Sequence, residues 1–214
     1  VSLLAGGVRY PKARGRPGQR QPSRRCVATP ASPLLGRGDT AAVSAAPATR
    51  LPVLPEPRFQ IVLINPLIPG NTGSIGRTAA ATGCRLHVVH PIGFDMGEAA
   101  RRRAGLDYWH LVDCVEHESW DAFVAAEGLE PGDARVWLFT TTGTTPHWDL
   151  PLRAGDYLLF GCETTGAPAV VREWTGAGRS ATLPMIDDPG ARSLNLGNAV
   201  CAAVYEGLRQ LAAA

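Results

Sequence analysis

Residues 59–91 read FQIVLINPLIPGNTGSIGRTAAATGCRLHVVHP, and their pattern decides the fold class. FQIVLINP (59–66) is an unbroken apolar, β-branched run stopped by Asn-Pro, the look of a buried strand. NTGSIGRTAAATG (71–83) then changes character. Cap-type residues at Asn71, Thr72 and Ser74, small residues throughout and Gly83 as a stop predict a helix. RLHVVHP (85–91) is a second strand, closed by Pro91. Strands apolar on both faces, joined through a helix, predict a mostly parallel sheet covered on both sides.

The chain beyond continues that alternation. GEAARRRAGLDYW (97–109) predicts a charged helix ended by Gly105, and WHLVDC (109–114) a short strand. SWDAFVAAEG (119–128) predicts a helix capped by Ser119 and closed by Gly128. RVWLFTT (135–141) and DYLLFG (156–161) are further buried strands, APAVVREW (167–174) a helix opened near Pro168, and SATLPM (180–185) a short strand. In the closing helix Leu196, Val200, Val204 and Leu208 stand four apart, and Leu211 completes one apolar stripe. The fold class predicted is therefore α/β, with helices on both faces of the sheet.

Charge divides the 214 residues into two unlike parts. Residues 1–57 hold nine of the 21 basic residues and two of the 19 acidic ones; residues 58–214 keep twelve and seventeen, a net of −5. The leader is rich in Arg, Pro, Ala and Gly without helical or strand periodicity, too poor in apolar residues to form a core. Its Arg-rich, acid-poor composition predicts a disordered organelle transit peptide, plastid ahead of mitochondrion; without that role the protein is expected in the cytoplasm. Residues 58–214 predict one domain, large enough to bury a core without staples. No run approaches the roughly 20 apolar residues of a membrane span, so a soluble protein is expected.

The five cysteines (Cys26, Cys84, Cys114, Cys162, Cys201) are scattered without a CxxC pair, which predicts neither a zinc site nor a disulfide framework. His87 and His90 stand three apart on a predicted strand and face opposite ways, so structural or surface roles are expected and no metal.

Ligands of open α/β sheets bind beyond the carboxyl ends of the strands. Four loops there are rich in Gly, Pro, Thr or Asn: INPLIPGNTG, TTTGTTPH, FGCETTGAP and PMIDDPGARSLN. No GxGxxG, GxxxxGK[ST] or GxSxG occurs, which disfavours dinucleotide, P-loop and hydrolase chemistry. In FGCETTG, Gly161 and Gly166 flank Glu163, a carboxylate at a strand end that reads either as a functional group or as a cap for the following helix. Arg77 sits in the early turns of a helix, where a guanidinium adds a phosphate clamp to an anion-attracting terminus. Alone, it reads rather as a solvated surface residue.

Three stretches together carry a family likeness: NPLIPGNTGSIGRTAAATG with Asn71 and Arg77, LLFGCETTGAP with Glu163, and LPMIDDPGARSLNLGNAV with Ser193 and Asn195. In order and spacing they resemble the motifs of the SpoU-type RNA 2′-O-ribose methyltransferases of the SPOUT superfamily, over residues 59–211. RRAGLDY (102–108) and the TTxGT stretch within TTTGTT (140–145) are similar to the small subgroup acting on the wobble nucleotide of tRNA, cytidine or uridine. The resemblance implies a C-terminal trefoil knot, a homodimer, no metal, and S-adenosylmethionine as methyl donor. It implies a cofactor pocket of Phe139, Thr140, Gly161, Cys162, Glu163, Leu183, Met185, Ser193 and Leu194. It implies catalytic roles for Arg77, Asn71, Glu163 and Asn195, with Arg77 as the group that deprotonates the hydroxyl. Since a guanidinium is a poor base, the alternative reading puts Arg77 on the target phosphate and the developing oxyanion, the two asparagines orienting ribose or Arg77, and Glu163 holding the Arg or backbone amides. Contact with the tRNA anticodon stem-loop falls to Arg77, Arg101, Arg102, Arg103 and Tyr108. A sister enzyme acting on ribosomal RNA or another tRNA position, and a non-catalytic RNA-binding module, are the alternatives.

Overall fold

The computed structural model describes residue 51, residues 57–103 and residues 106–213. Almost all of the expected leader, Cys26 and the expected helix end at Gly105 lie outside the described residues. The strands are β1 (Gln60–Ile64), β2 (Arg85–Val89), β3 (Cys114–His117), β4 (Val136–Phe139), β5 (Thr145–Pro146), β6 (Tyr157–Phe160) and β7 (Ser180–Thr182). The helices are α1 (Pro69–Thr82), α2 (Glu98–Arg103), α3 (Trp120–Glu127), α4 (Ala169–Thr175) and α5 (Leu196–Ala213). The sheet order is β3-β2-β1-β6-β4-β7-β5, and every ladder is parallel.

Period two along the central strands sorts the core into two layers. Ile61, Leu63, Trp137, Phe139, Leu158 and Phe160 pack with Ile75 and Ala79 of α1 and Val200, Val204 and Leu208 of α5. Their neighbours Val62, Ile64, Val136, Leu138, Tyr157 and Leu159 pack on the other face with Trp120 and Phe123 of α3 and Val171 of α4. All five residues of β1 are buried. At roughly 1.5–3 kcal/mol for each large apolar side chain, this strand and its two neighbours anchor the sheet. The α/β class, the main strands and the stripe of α5 are as the sequence predicts; Leu196 and Leu211 flank that stripe, partly buried against the core.

Several elements differ. Helix α1 begins at Pro69, so Asn71 and Thr72 lie inside it, and Ile68 at its N-cap makes no side-chain cap. Proline's fixed φ suits the first helical position, and a distant carboxylate replaces the local cap. Gly83 closes α1 with a left-handed φ of 67°, and Ser119 caps α3 by accepting from the Ala122 amide at 3.1 Å, both as expected. Within the described residues helix α2 runs from Glu98 to Arg103. Residues 107–111, expected partly as helix and partly as strand, form a separate 3-10 turn that buries Trp109 against α1 at Gly76. The strand starts later, at Cys114. TTTGTTPH, read as a loop, contributes β5, paired with β7 at the sheet edge.

The four described cysteines are free thiols. His87 is fully buried on the α3 face, whereas His90 lies toward the surface with Glu116 at 3.0 Å. His87 Nδ1 meets His117 Nε2 at 2.9 Å, its Nε2 meets Gln60 Oε1 at 2.9 Å, and the Tyr157 hydroxyl donates to Glu127 at 2.9 Å. Ligand-type atoms of His87, His117 and Glu127 lie within 4.8 Å of one another, but the rings are engaged in this hydrogen-bonded network. Burial holds both imidazoles below their ordinary range, His87 down to about 4. Among the described residues no helix is long and apolar enough to cross a membrane.

Candidate functional site

Because every strand runs the same way, the loops after β1, β4, β6 and β7 emerge at one edge of the sheet. Glu163, just past β6, reaches back to the start of α1. Its Oε2 accepts from the Leu67 amide at 2.8 Å, and its Oε1 from the Ile68 amide at 3.2 Å and from Asn71 Nδ2 at 2.9 Å. Asn71 Oδ1 accepts from Asn195 Nδ2 at 2.9 Å, and Asn195 Oδ1 accepts from the Asn198 amide at 3.3 Å. An unbroken relay thus runs from the β6 loop through α1 to the first turn of α5. Partial burial would raise the Glu163 carboxyl, but the Asn71, Leu67 and Ile68 donors outweigh it and hold the group below the usual range. The expected cap role is therefore met at α1, not at the following helix α4.

Gly161 turns the chain out of β6. A Cβ there would stand 2.0 Å from the Ala167 amide nitrogen. Only glycine permits that approach, which Cys162 and Gly166 close with two backbone hydrogen bonds of 3.2 and 3.0 Å. Burial pushes the Cys162 thiol up, but hydroxyls and amides of Thr164 and Thr165 bring it down to about 7.

These loops enclose a cavity of about 740 Å³ whose wall includes Asn71, Thr140, Cys162, Glu163, Ser193, Leu194 and Asn195. A recess of about 90 Å³ shares Thr140, Ser193 and Leu194 and adds Phe139, Leu183 and Met185. Every residue expected at the cofactor is thereby brought to one place, Gly161 standing behind the wall. The wall fits S-adenosylmethionine: Leu183, Met185 and Leu194 offer apolar surface to a flat ring, and Thr140, Ser193 and loop amides offer polar contacts. Met185 and Leu194 are 36% and 47% exposed, apolar groups facing water at a cleft that a ligand would cover.

Arg77 stands apart from the relay. Expected to be oriented by Asn71, Asn195 or Glu163, it instead lies 3.9 Å over the Tyr108 ring, and Tyr108 donates to the Gly73 carbonyl at 2.5 Å. Six residues beyond Asn71 is about 240° further round the helix, which turns it to another face. Arg101 lies 5.7 Å over Trp109, Arg102 pairs with Glu98 at 2.7 Å, and Arg103 lines a neighbouring cavity. Arg172 and Arg192 also line the main cleft and were missed from sequence. Arg192, immediately before Ser193, could have been found as the cation of its loop; Arg172 looks like any surface residue of a short helix.

A parallel α/β sheet with a cleft built by its carboxyl-end loops, tied by a Glu-Asn-Asn relay, defines an α/β domain with a ligand-sized site at the carboxyl edge of its strands. The chain belongs to the SpoU rRNA methylase family, whose sequence model matches residues 58–205. It is 44% identical over 153 residues to the tRNA (cytidine(34)-2′-O)-methyltransferase of Escherichia coli K12, covering 72% of this chain and 94% of that one. The enzyme of the same name from Burkholderia pseudomallei is 47% identical over 153 residues, covering 71% and 95%. A solved structure concerned with the 2-OH methylation of C/U34 on tRNA superposes with a TM-score of 0.63 at 42% identity, covering 73% of this chain and 97% of that chain. The SpoU methyltransferase AviRb from Streptomyces viridochromogenes, solved with the cofactor AdoMet, gives 0.58 at 28% identity, covering 77% and 62%.

Proposed function

We propose that this chain transfers a methyl group from S-adenosylmethionine to the ribose 2′-hydroxyl of the wobble nucleotide of tRNA, cytidine or uridine. The observation that carries the reading is the convergence of the Glu163–Asn71–Asn195 relay with the expected cofactor residues on one cleft. It is supported by relatives named for that reaction, each matched over nearly its whole length. When bound, S-adenosylmethionine supplies a methyl made electrophilic by its sulfonium, so the protein has to align the hydroxyl and assist loss of its proton. Thr140, Cys162, Leu183, Met185, Ser193 and Leu194 hold the cofactor; Glu163 fixes the start of α1, and Asn71 and Asn195 orient the ribose. A guanidinium is permanently charged and makes a poor base. Arg77, stacked on Tyr108, instead binds the target phosphate and stabilises the oxyanion as it develops, while that phosphate accepts the proton.

Because the domain is acidic overall, RNA affinity rests on local cations, Arg77 and Arg101–Arg103 beside Tyr108. The same reading includes a homodimer, in which two such clusters grip one RNA, a trefoil knot formed by the C-terminal segment, and an organelle-targeting leader over residues 1–57. The test is transfer of isotope-labelled methyl from S-adenosylmethionine to total tRNA and, in parallel, to ribosomal RNA. Label in tRNA is the expected result. Label in ribosomal RNA alone would move the substrate, and label in neither would leave an RNA-binding module.

A further inference from the structure

Beside the cleft, on another face of α1, lies a second cavity of about 350 Å³ that the mechanism above does not use. Its wall is largely apolar, with Phe94, Met96, Leu106 and Trp109, and Arg101 and Arg103 are its cations. The one carboxylate there, Asp95, is occupied by the Gly97 amide at 2.7 Å. Thr72 also lines it. Thr72 is 2% exposed and its hydroxyl has no hydrogen-bond partner, although a helical threonine commonly bonds the carbonyl one turn back. That carbonyl, Ile68 O, already receives the Asn71 and Thr72 amides at 3.0 and 3.4 Å. A buried hydroxyl left unpaired is unfavourable, and its retention at a cavity wall points to a partner supplied from outside. A rotation of about 120° around Cα–Cβ carries the hydroxyl to another staggered position, between the two rotamers threonine populates in helices.

The features of the cavity select its occupant. Its volume is at the low end for small-ligand sites, its aromatic residues suit a flat heteroaromatic ring, and its guanidiniums suit a ligand attached to phosphate. Thr72 directly follows Asn71, so the cavity and the cleft adjoin across the first turns of α1. Gly73 of the same wall accepts from Tyr108, on whose ring Arg77 rests. We propose that this cavity takes the base of the nucleotide whose ribose is methylated, with the Thr72 hydroxyl meeting its Watson–Crick edge. The inference rests on the reading of function given above. A hydroxyl both donates and accepts. Cytosine and uracil exchange donor and acceptor along that edge, so one rotating hydroxyl serves either.

The experiment compares the full chain and Thr72→Val, with S-adenosylmethionine, on anticodon stem-loop RNAs carrying cytidine, uridine or an abasic ribose at the wobble position. The wild type is expected to methylate cytidine and uridine at rates within a few-fold, and the abasic ribose at least about tenfold more slowly, the worth of one buried hydrogen bond. Thr72→Val is expected to lose about tenfold on cytidine and uridine, to bind S-adenosylmethionine normally, and to melt higher than wild type because an unpaired buried hydroxyl is gone. The two losses should not add, since they remove one interaction. An abasic ribose methylated as fast as cytidine overturns the proposal. So does a Thr72→Val protein that melts lower with turnover unchanged, the behaviour of a merely structural threonine. A wild type inactive on every RNA removes the functional reading itself, and this inference with it.

Discussion

Glu163 takes over, from 95 residues away in sequence, the work that a local cap would do for α1: it accepts from the Ile68 amide as well as from Leu67 and Asn71. All three partners are donors, so a neutral carboxamide in its place must turn an NH₂ toward one of them. Glu163→Gln is expected to lose about 1–3 kcal/mol of stability and to slow methyl transfer at least tenfold, because Asn71 and Asn195 lose their fixed point. Urea unfolding and single-turnover methylation check both; unchanged values in each would remove Glu163 from the account. At Arg77 charge alone should not suffice. Arg77→Lys keeps a cation but loses the planar stack on Tyr108 and bidentate phosphate binding, so it should fall close to Arg77→Ala in turnover rather than to wild type.

Among the elements, α2 carries in its last turn the charge proposed to meet RNA, Arg101, Arg102 and Arg103, with no buried residue of its own. Replacing all three by alanine should leave cofactor binding intact and weaken RNA binding. The slope of log K against log salt should shrink by about two, at roughly 0.7 per lost phosphate contact on single-stranded RNA. An unchanged slope would place the RNA elsewhere. Elements with strong periodicity were legible in sequence: β1, β2, β4, β6 and the α5 stripe are set by apolar residues that have only one place to go. The charged helix α2 was legible too, but the turn holding Trp109 was not, because Trp109 is fixed by packing on Gly76 of another element, which no local pattern announces. The two-residue β5 exists only by pairing with β7. The site divides similarly. Residues of the three loops were found through their motifs, whereas the stacking of Arg77 on Tyr108 and the Asn71–Asn195 hydrogen bond join segments that sequence keeps apart.

For the molecule as a whole, stability should depend on pH through the network behind the sheet. Burial first, and then the charge His117 would carry on protonation, disfavour a proton on His87, whose value falls from 6.5 to about 4 against the opposing pull of Glu127. The unfolded chain binds that proton below about 6.5 and the folded one does not until about 4. The stabilisation is therefore complete above the upper value and is lost as pH falls through the window. Its size is on the order of 3 kcal/mol. Urea unfolding at neutral pH and near the lower value should show the loss, and a flat profile would mean that His87 titrates normally. The proposed chemistry takes place on one ribose of one RNA. Its most direct test is ribose-methylation mapping of tRNA after incubation with S-adenosylmethionine and either the full chain or its Arg77→Ala variant. A new 2′-O-methyl group at the wobble nucleotide is expected with the wild type and its loss with the variant. Methylation at another nucleotide, or an Arg77→Ala protein as active as wild type, would contradict the proposal.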